Sequence, residues 1–172
     1  MSTIEALLQE LEQEKQTTKR VLERVPEDRL TWKPHEKSMS MGQLALHVAT
    51  VPGAIAEISR QSPFKVGQFI QPPATSAAEL VPALEQSIAK ACDVLRTMDD
   101  AALAKTWRAM DGDREIFAIP VGALFRSVML NHWYHHRGQL SVYLRLVGLP
   151  VPSIYGPSAD ENPFASRQAV SA

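Results

Sequence analysis

Residues 120–148 read PVGALFRSVMLNHWYHHRGQLSVYLRLVG, a stretch opened by Pro120 and closed by Gly148. Proline at the first turn and glycine just past the last one bracket a helix. At 100° per residue, His132 and His136 differ by roughly 40° and lie one turn apart on the same side. Val121, Phe125, Val128, Met129 and Tyr143 fall on that arc. The wheel therefore turns both imidazoles into the protein and Arg126, Arg137 and Arg145 away from it. Gln139 falls within about 20° of His132 on the same arc, an unusual place for an amide without a partner.

Working outward, residues 39–60 predict a second helix capped by Ser38 or Ser40, with Met41, Leu44, Ala45, Val48, Val51, Ile55 and Ile58 on one side. Pro52 interrupts this pattern and should kink the helix. His47 borders the apolar side rather than the polar one. Residues 3–24 predict a helix capped by Thr3 and stopped by Pro26, and residues 76–98 another, opened by the Ser76–Glu79 capping box. Between the second and third helices lies a long connection holding Pro63, Gly67, Pro72 and Pro73. Asp111-Gly112, between Trp107–Met110 and Ile116–Phe117, reads as a small hairpin or an ordered loop. Residues 149–172 read as an extended tail. The expected architecture is all-α: one domain over 1–172, an antiparallel four-helix bundle with helices at 3–24, 39–60, 76–98 and 120–147.

Three imidazoles from two helices, His47, His132 and His136, can then converge on one point. Burying three together without a shared partner costs desolvation and leaves lone pairs unsatisfied. A divalent transition metal accepts a lone pair from each ring. Three protein nitrogens leave further positions open, as catalytic sites do. Gln139 is a candidate for orienting a ligand ring or a bound water, against a plain role in helix packing. His135 lies about 60–80° off the shared direction and is the nearest candidate for a general base. His35, in the connector, reads as solvated. Tyr143 reads as core packing, with its hydroxyl a candidate substrate contact, and Arg137 as an outward residue that pairs at the surface, with the tail or across a dimer contact. Cys92 is buried filler, and Asp160 and Glu161 in the tail are solvated.

The composition is that of an ordinary soluble domain. The chain has 172 residues, 45% hydrophobic and 22% charged, with 18 Lys+Arg against 19 Asp+Glu. A net charge of −1 and no basic run argue against nucleic acid or an anionic membrane as partner. The single cysteine excludes an internal disulfide. No apolar run approaches the roughly 20 residues of a membrane span, and the charged first segment is unlike a signal peptide, so a cytoplasmic location is expected.

Gly42-Gln43-Leu44-Ala45-Leu46-His47, followed by His132-x-x-x-His136-Arg137-Gly138-Gln139, resembles the DinB-like (DinB/YfiT) metal-dependent proteins. Trp32-Lys33-Pro34 is similar as well, and Val151–Ser158 looks like one branch of that family. The resemblance implies a four-helix bundle with a three-histidine site for zinc, nickel or another divalent ion at His47, His132 and His136, often in a homodimer. Some relatives are thiol-dependent transferases or isomerases that use low-molecular-weight thiols. The expected function is a metal-dependent enzyme that activates water or a thiol against a small organic substrate; the competing reading is a non-catalytic metal-binding, structural or stress-response module.

Overall fold

The structure, a computed structural model, describes residues 2–67 and 71–165. Two of the long helices start at reciprocal side-chain caps. Helix α1 (Thr3–Leu22) is capped by Ser2 rather than Thr3, because Ser2 stands three residues before Glu5: the Glu5 N–H donates to Ser2 Oγ (3.2 Å) and the Ser2 N–H to the Glu5 carboxylate (2.7 Å). Ser40 and Gln43 make the same reciprocal pair at the start of α2 (Met41–Ser59). A 3-10 turn at Ala77–Glu79, capped by Ser76, leads into α3 (Leu80–Arg96), which leaves Pro82 harmlessly in its first turn. A short α4 (Asp100–Ala104) follows. The last rod runs unbroken from α5 (Val121–Ala123) through a π-helix (Leu124–Asn131) into α6 (His132–Leu146).

Four long rods pack with α2 against α3 on one side and against the π-helix and α6 on the other, while α1 lies along α3 and α6. Two residues in the middle of α2 make this packing possible. Pro52 has no N–H, so the Val48 carbonyl loses its intrahelical donor. The indole of Trp133, fully buried on α6, supplies one instead, Nε1 donating to Val48 O at 2.8 Å. At Gly53 the backbone N–H donates to Ser87 Oγ of α3 (2.8 Å), and that hydroxyl donates to Thr50 O (3.0 Å). A Cβ at position 53 would sit 2.9 Å from the Ser87 Cα and carbonyl oxygen, so glycine sets the α2–α3 spacing. Pro52 is thus also an anchor for α6, one residue beyond the imidazole-bearing end of that rod. Trp133→Phe should cost about 1–3 kcal/mol in urea unfolding, because it orphans a buried carbonyl; a change under ~0.5 kcal/mol would refute this role.

The fold is not all-α. A three-stranded sheet in the order β1-β2-β3 covers the end of α2: β1 (Phe64–Lys65) runs parallel to β2 (Thr106–Asp111), and β3 (Arg114–Pro120) runs antiparallel to it. The β2–β3 pair is the hairpin that Asp111-Gly112 announces, with Gly112 at φ +58° in the turn. Trp107 of β2 stacks on Phe64 and donates its indole N–H to Ile58 O near the end of α2 (2.9 Å). No described helix is long and apolar enough to cross a membrane.

The π-helix corrects the helical wheel. Its hydrogen bonds span five residues, and its buried side chains recur at that spacing, Leu124 to Met129 and Phe125 to Leu130. An arc extrapolated at 100° per residue across this segment arrives rotated. Trp133, Arg137, Leu140 and Leu144 face the core; His132 and His136 sit half-buried at its rim, and Gln139 is exposed.

Arg137 is therefore not a surface residue. It is 1% exposed, paired with Glu14 of α1 (2.6 Å), donating to Thr18 Oγ1 (3.0 Å) and Tyr155 Oη (2.5 Å), and held between the rings of Tyr134 and Tyr155. Asp160 and Glu161 are not simply solvated either. Asp160 accepts from Arg145 and from the Val151 N–H (2.8 Å), and Glu161 from Arg20, Arg24 and the Ser153 N–H (3.0 Å). These bonds fasten the tail across α1 and α6; its last residues, 166–172, lie outside the described residues.

Candidate metal centre

His47 projects from α2 and is 7% exposed; His132 and His136 project from the first turns of α6. The three rings converge, with centroids 5.2 Å apart for His47–His132, 4.6 Å for His47–His136 and 4.5 Å for His132–His136. One ring nitrogen from each lies within 4.8 Å of the others. This is the group the sequence pattern singles out, brought to the mouth of the bundle rather than to its interior.

Hydrogen bonds at the far side of two rings decide which nitrogen faces inward. His47 Nδ1 lies 2.9 Å from Gln71 Oε1, and His136 Nδ1 lies 2.7 Å from Gln139 Oε1. An amide oxygen only accepts, so each Nδ1 carries the proton and each Nε2 keeps its lone pair. His47 Nε2 and His132 Nε2 are 2.9 Å apart. Two metal–nitrogen bonds of about 2.0–2.1 Å place their donors roughly 2.9–3.4 Å apart at angles between square and tetrahedral. The donor set therefore fits a transition-metal cation in chemistry, and the His47–His132 pair fits it in spacing as well.

Gln71 was invisible to spacing arguments, since it comes from the proline-rich connection between α2 and α3. Its backbone carbonyl accepts from Gln43 Nε2 (3.1 Å), so the α2 capping residue also steadies the partner of His47. His135 is exposed, its ring 5.1 Å from that of His136. Tyr143 donates to Met39 O (3.3 Å) and meets Trp32 edge-on. Exposed His35 accepts from the Lys37 N–H (3.2 Å), and burial pushes the Cys92 thiol pKa up, which keeps it unreactive.

Burial is the main reason that all three imidazoles titrate below their ordinary value of 6.5. For His47 it outweighs the Gln71 bond. For His132 the neighbouring His47 and His135 add to it. For His136 it prevails over the Gln139 bond and brings the pKa to about 4. At neutral pH the rings are uncharged, the form that ligates. The unfolded chain binds more protons than the folded one between these values, so stability falls as pH drops through that window. Thermal midpoints of metal-free protein should decline from about pH 6.5 toward pH 4, by about 2–4 °C for each kcal/mol lost. The decline should be shallower in His136→Ala; an equal slope in that variant would contradict the assignment.

Two small clefts flank the centre. One of ≈ 230 Å³ is lined by His47, Thr50, Val51, Ala54, Ile55, Gln71 and His132, the other of ≈ 180 Å³ by Ser38, Met39, Leu44, His136, Gln139 and Tyr143. Two larger grooves between α2 and α3, of ≈ 300 and ≈ 520 Å³, have none of the histidines among their described lining residues.

Comparison with known proteins agrees with this architecture. YrdA of Bacillus subtilis is 26% identical over 160 residues, 92% of each chain. A DinB-like protein of Bacillus cereus superposes with a TM-score of 0.71 at 24% identity, over 90% of this chain and all of that one. YfiT of Bacillus subtilis, described as a probable metal-dependent hydrolase with an unusual four-helix bundle topology, gives 0.63 at 16% identity, over 86% of this chain and 89% of that one. At such identities the structural likeness is one of fold. The model of the DinB family, however, matches residues 1–165, from the first helix through the fastened tail, and the chain belongs to that family.

Proposed function

We propose that this protein is a metal-dependent hydrolase acting on a small organic molecule, with His47, His132 and His136 holding one divalent transition cation. The observation that carries this reading is the convergence of three neutral imidazoles, two of them fixed by Gln71 and Gln139 with Nε2 directed inward. Zinc and nickel are the ions it names first, since all-imidazole donors suit both. When bound, such a cation supplies Lewis acidity and acidifies a coordinated water or thiol near neutral pH. The description of YfiT supports hydrolysis over thiol transfer.

The chain's own residues do the rest. Gln71 and Gln139 hold the rings in one tautomer and orientation, which limits reorganisation during turnover. Val51 and Ile55 exclude water from one side of the centre. His135, exposed beside His136, is the group placed to exchange a proton with solvent. Chelation should abolish turnover of a panel of small esters and amides, and one equivalent of zinc or nickel should restore it. Fully loaded protein that turns over no member of such a panel, nor of a matching panel of thiol-transfer substrates, would favour the non-catalytic binding module.

A further inference from the structure

Among the described residues, no Asp or Glu lines the two clefts beside the centre. Its three candidate ligands are neutral imidazoles, and the Gln71 and Gln139 groups hydrogen-bonded to two of them are amides rather than carboxylates. A divalent cation held there keeps its full charge, which an anionic head group would neutralise. The cleft beside His47 and His132 has the opposite character. Val51, Ala54 and Ile55 form its wall, and no Lys, Arg, Asp or Glu lines it among the described residues. Its polar groups are partly used within the protein: the Thr50 hydroxyl donates to Leu46 O (2.8 Å), and the Gln71 amide donates to Pro72 O (3.2 Å) while accepting from His47. A second charge on the ligand would be desolvated there without an ion of opposite sign among the described residues that line the cleft. At ≈ 230 Å³ the cleft holds a short chain or a single ring.

We infer that the centre's ligand is a small molecule with one anionic head group on a compact, uncharged, apolar body that lies against Val51, Ala54 and Ile55. This rests on the metal-dependent function proposed above and names the class of molecule that function would serve.

The test uses the full chain loaded with cobalt(II), whose visible bands report both metal uptake and ligand binding. Acetohydroxamate, butanohydroxamate and hexanohydroxamate are titrated in, together with a hexano analogue ending in a carboxylate. Affinity should rise about fourfold per methylene from the two-carbon to the six-carbon compound. The carboxylate-ended analogue should lose that gain. Ala54→Asp should also erase the gain. Equal affinity along the series, or tight binding of the carboxylate-ended compound, would overturn the inference while the metal reading stands. Protein that shows no cobalt bands at all would refute the metal reading and this inference together.

Discussion

Arg137→Ala should lower stability by about 3–5 kcal/mol, an effect large enough to leave much of the protein unfolded at physiological temperature. The guanidinium is 1% exposed and its partner carboxylate on Glu14 is 13% exposed, so the alanine variant strands a carboxylate that water reaches poorly. It also removes the filler between Tyr134 and Tyr155 and the donor to Thr18. The pair itself need not be the stabilising element, because desolvating both charges costs nearly what their attraction returns, and Arg137 Nε has no hydrogen-bond partner among the described residues. Arg137→Met combined with Glu14→Leu should therefore recover most of the loss. Urea unfolding of the three proteins decides this. An alanine variant within about 1 kcal/mol of the parent would mean that the cluster is a surface ion pair in energetic terms.

Alanine at His47, His132 or His136 should remove metal binding at micromolar concentration. Partners of the kind Gln71 and Gln139 represent cost about 10–100-fold in affinity when lost, and deleting a ligand must exceed that range. Gln139→Ala should accordingly bind metal at full stoichiometry but more weakly, whereas His136→Ala should not bind it at all. Stability moves the other way. Without metal, three partly buried imidazoles are a burden, so the alanine variants should unfold at the same urea concentration as metal-free parent protein or a higher one. That separates loss of the ligand from loss of the fold. An intact affinity in any one of the three variants would remove that residue from the centre.

Much of this molecule is legible before any coordinates. Ser76 with Glu79 marks a helix start through the reciprocal bonds the two make, and Ser40 is one of the two serines that the sequence offers as the cap of α2. Asp111-Gly112 marks the hairpin because Gly112 adopts a positive φ. The histidine cluster is readable because a one-turn spacing on the last helix coincides with an imidazole on the apolar side of α2. The failures have physical causes too. Arg137 reads as solvent-facing in the sequence because a wheel at 100° per residue treats the eight residues of π-helix as α-helix. Gln71 lies 24 residues from His47 in a segment without periodicity, so only the folded chain brings the two together. The two-residue strand β1 exists only by pairing with β2 and has no signature of its own. Pro52 reads as a defect in α2, and its value appears only when Trp133 is seen to use the carbonyl it frees.

The convergence of the three rings gives the centre its proposed chemistry, and X-ray absorption at the zinc edge examines it without reference to activity. Tag-free protein is loaded with one equivalent of zinc and dialysed. The account predicts about one retained ion per chain and a first sphere containing three imidazole nitrogens at about 2.0–2.1 Å. Zinc lost on dialysis, or a retained ion surrounded by oxygen with at most one imidazole, would contradict it.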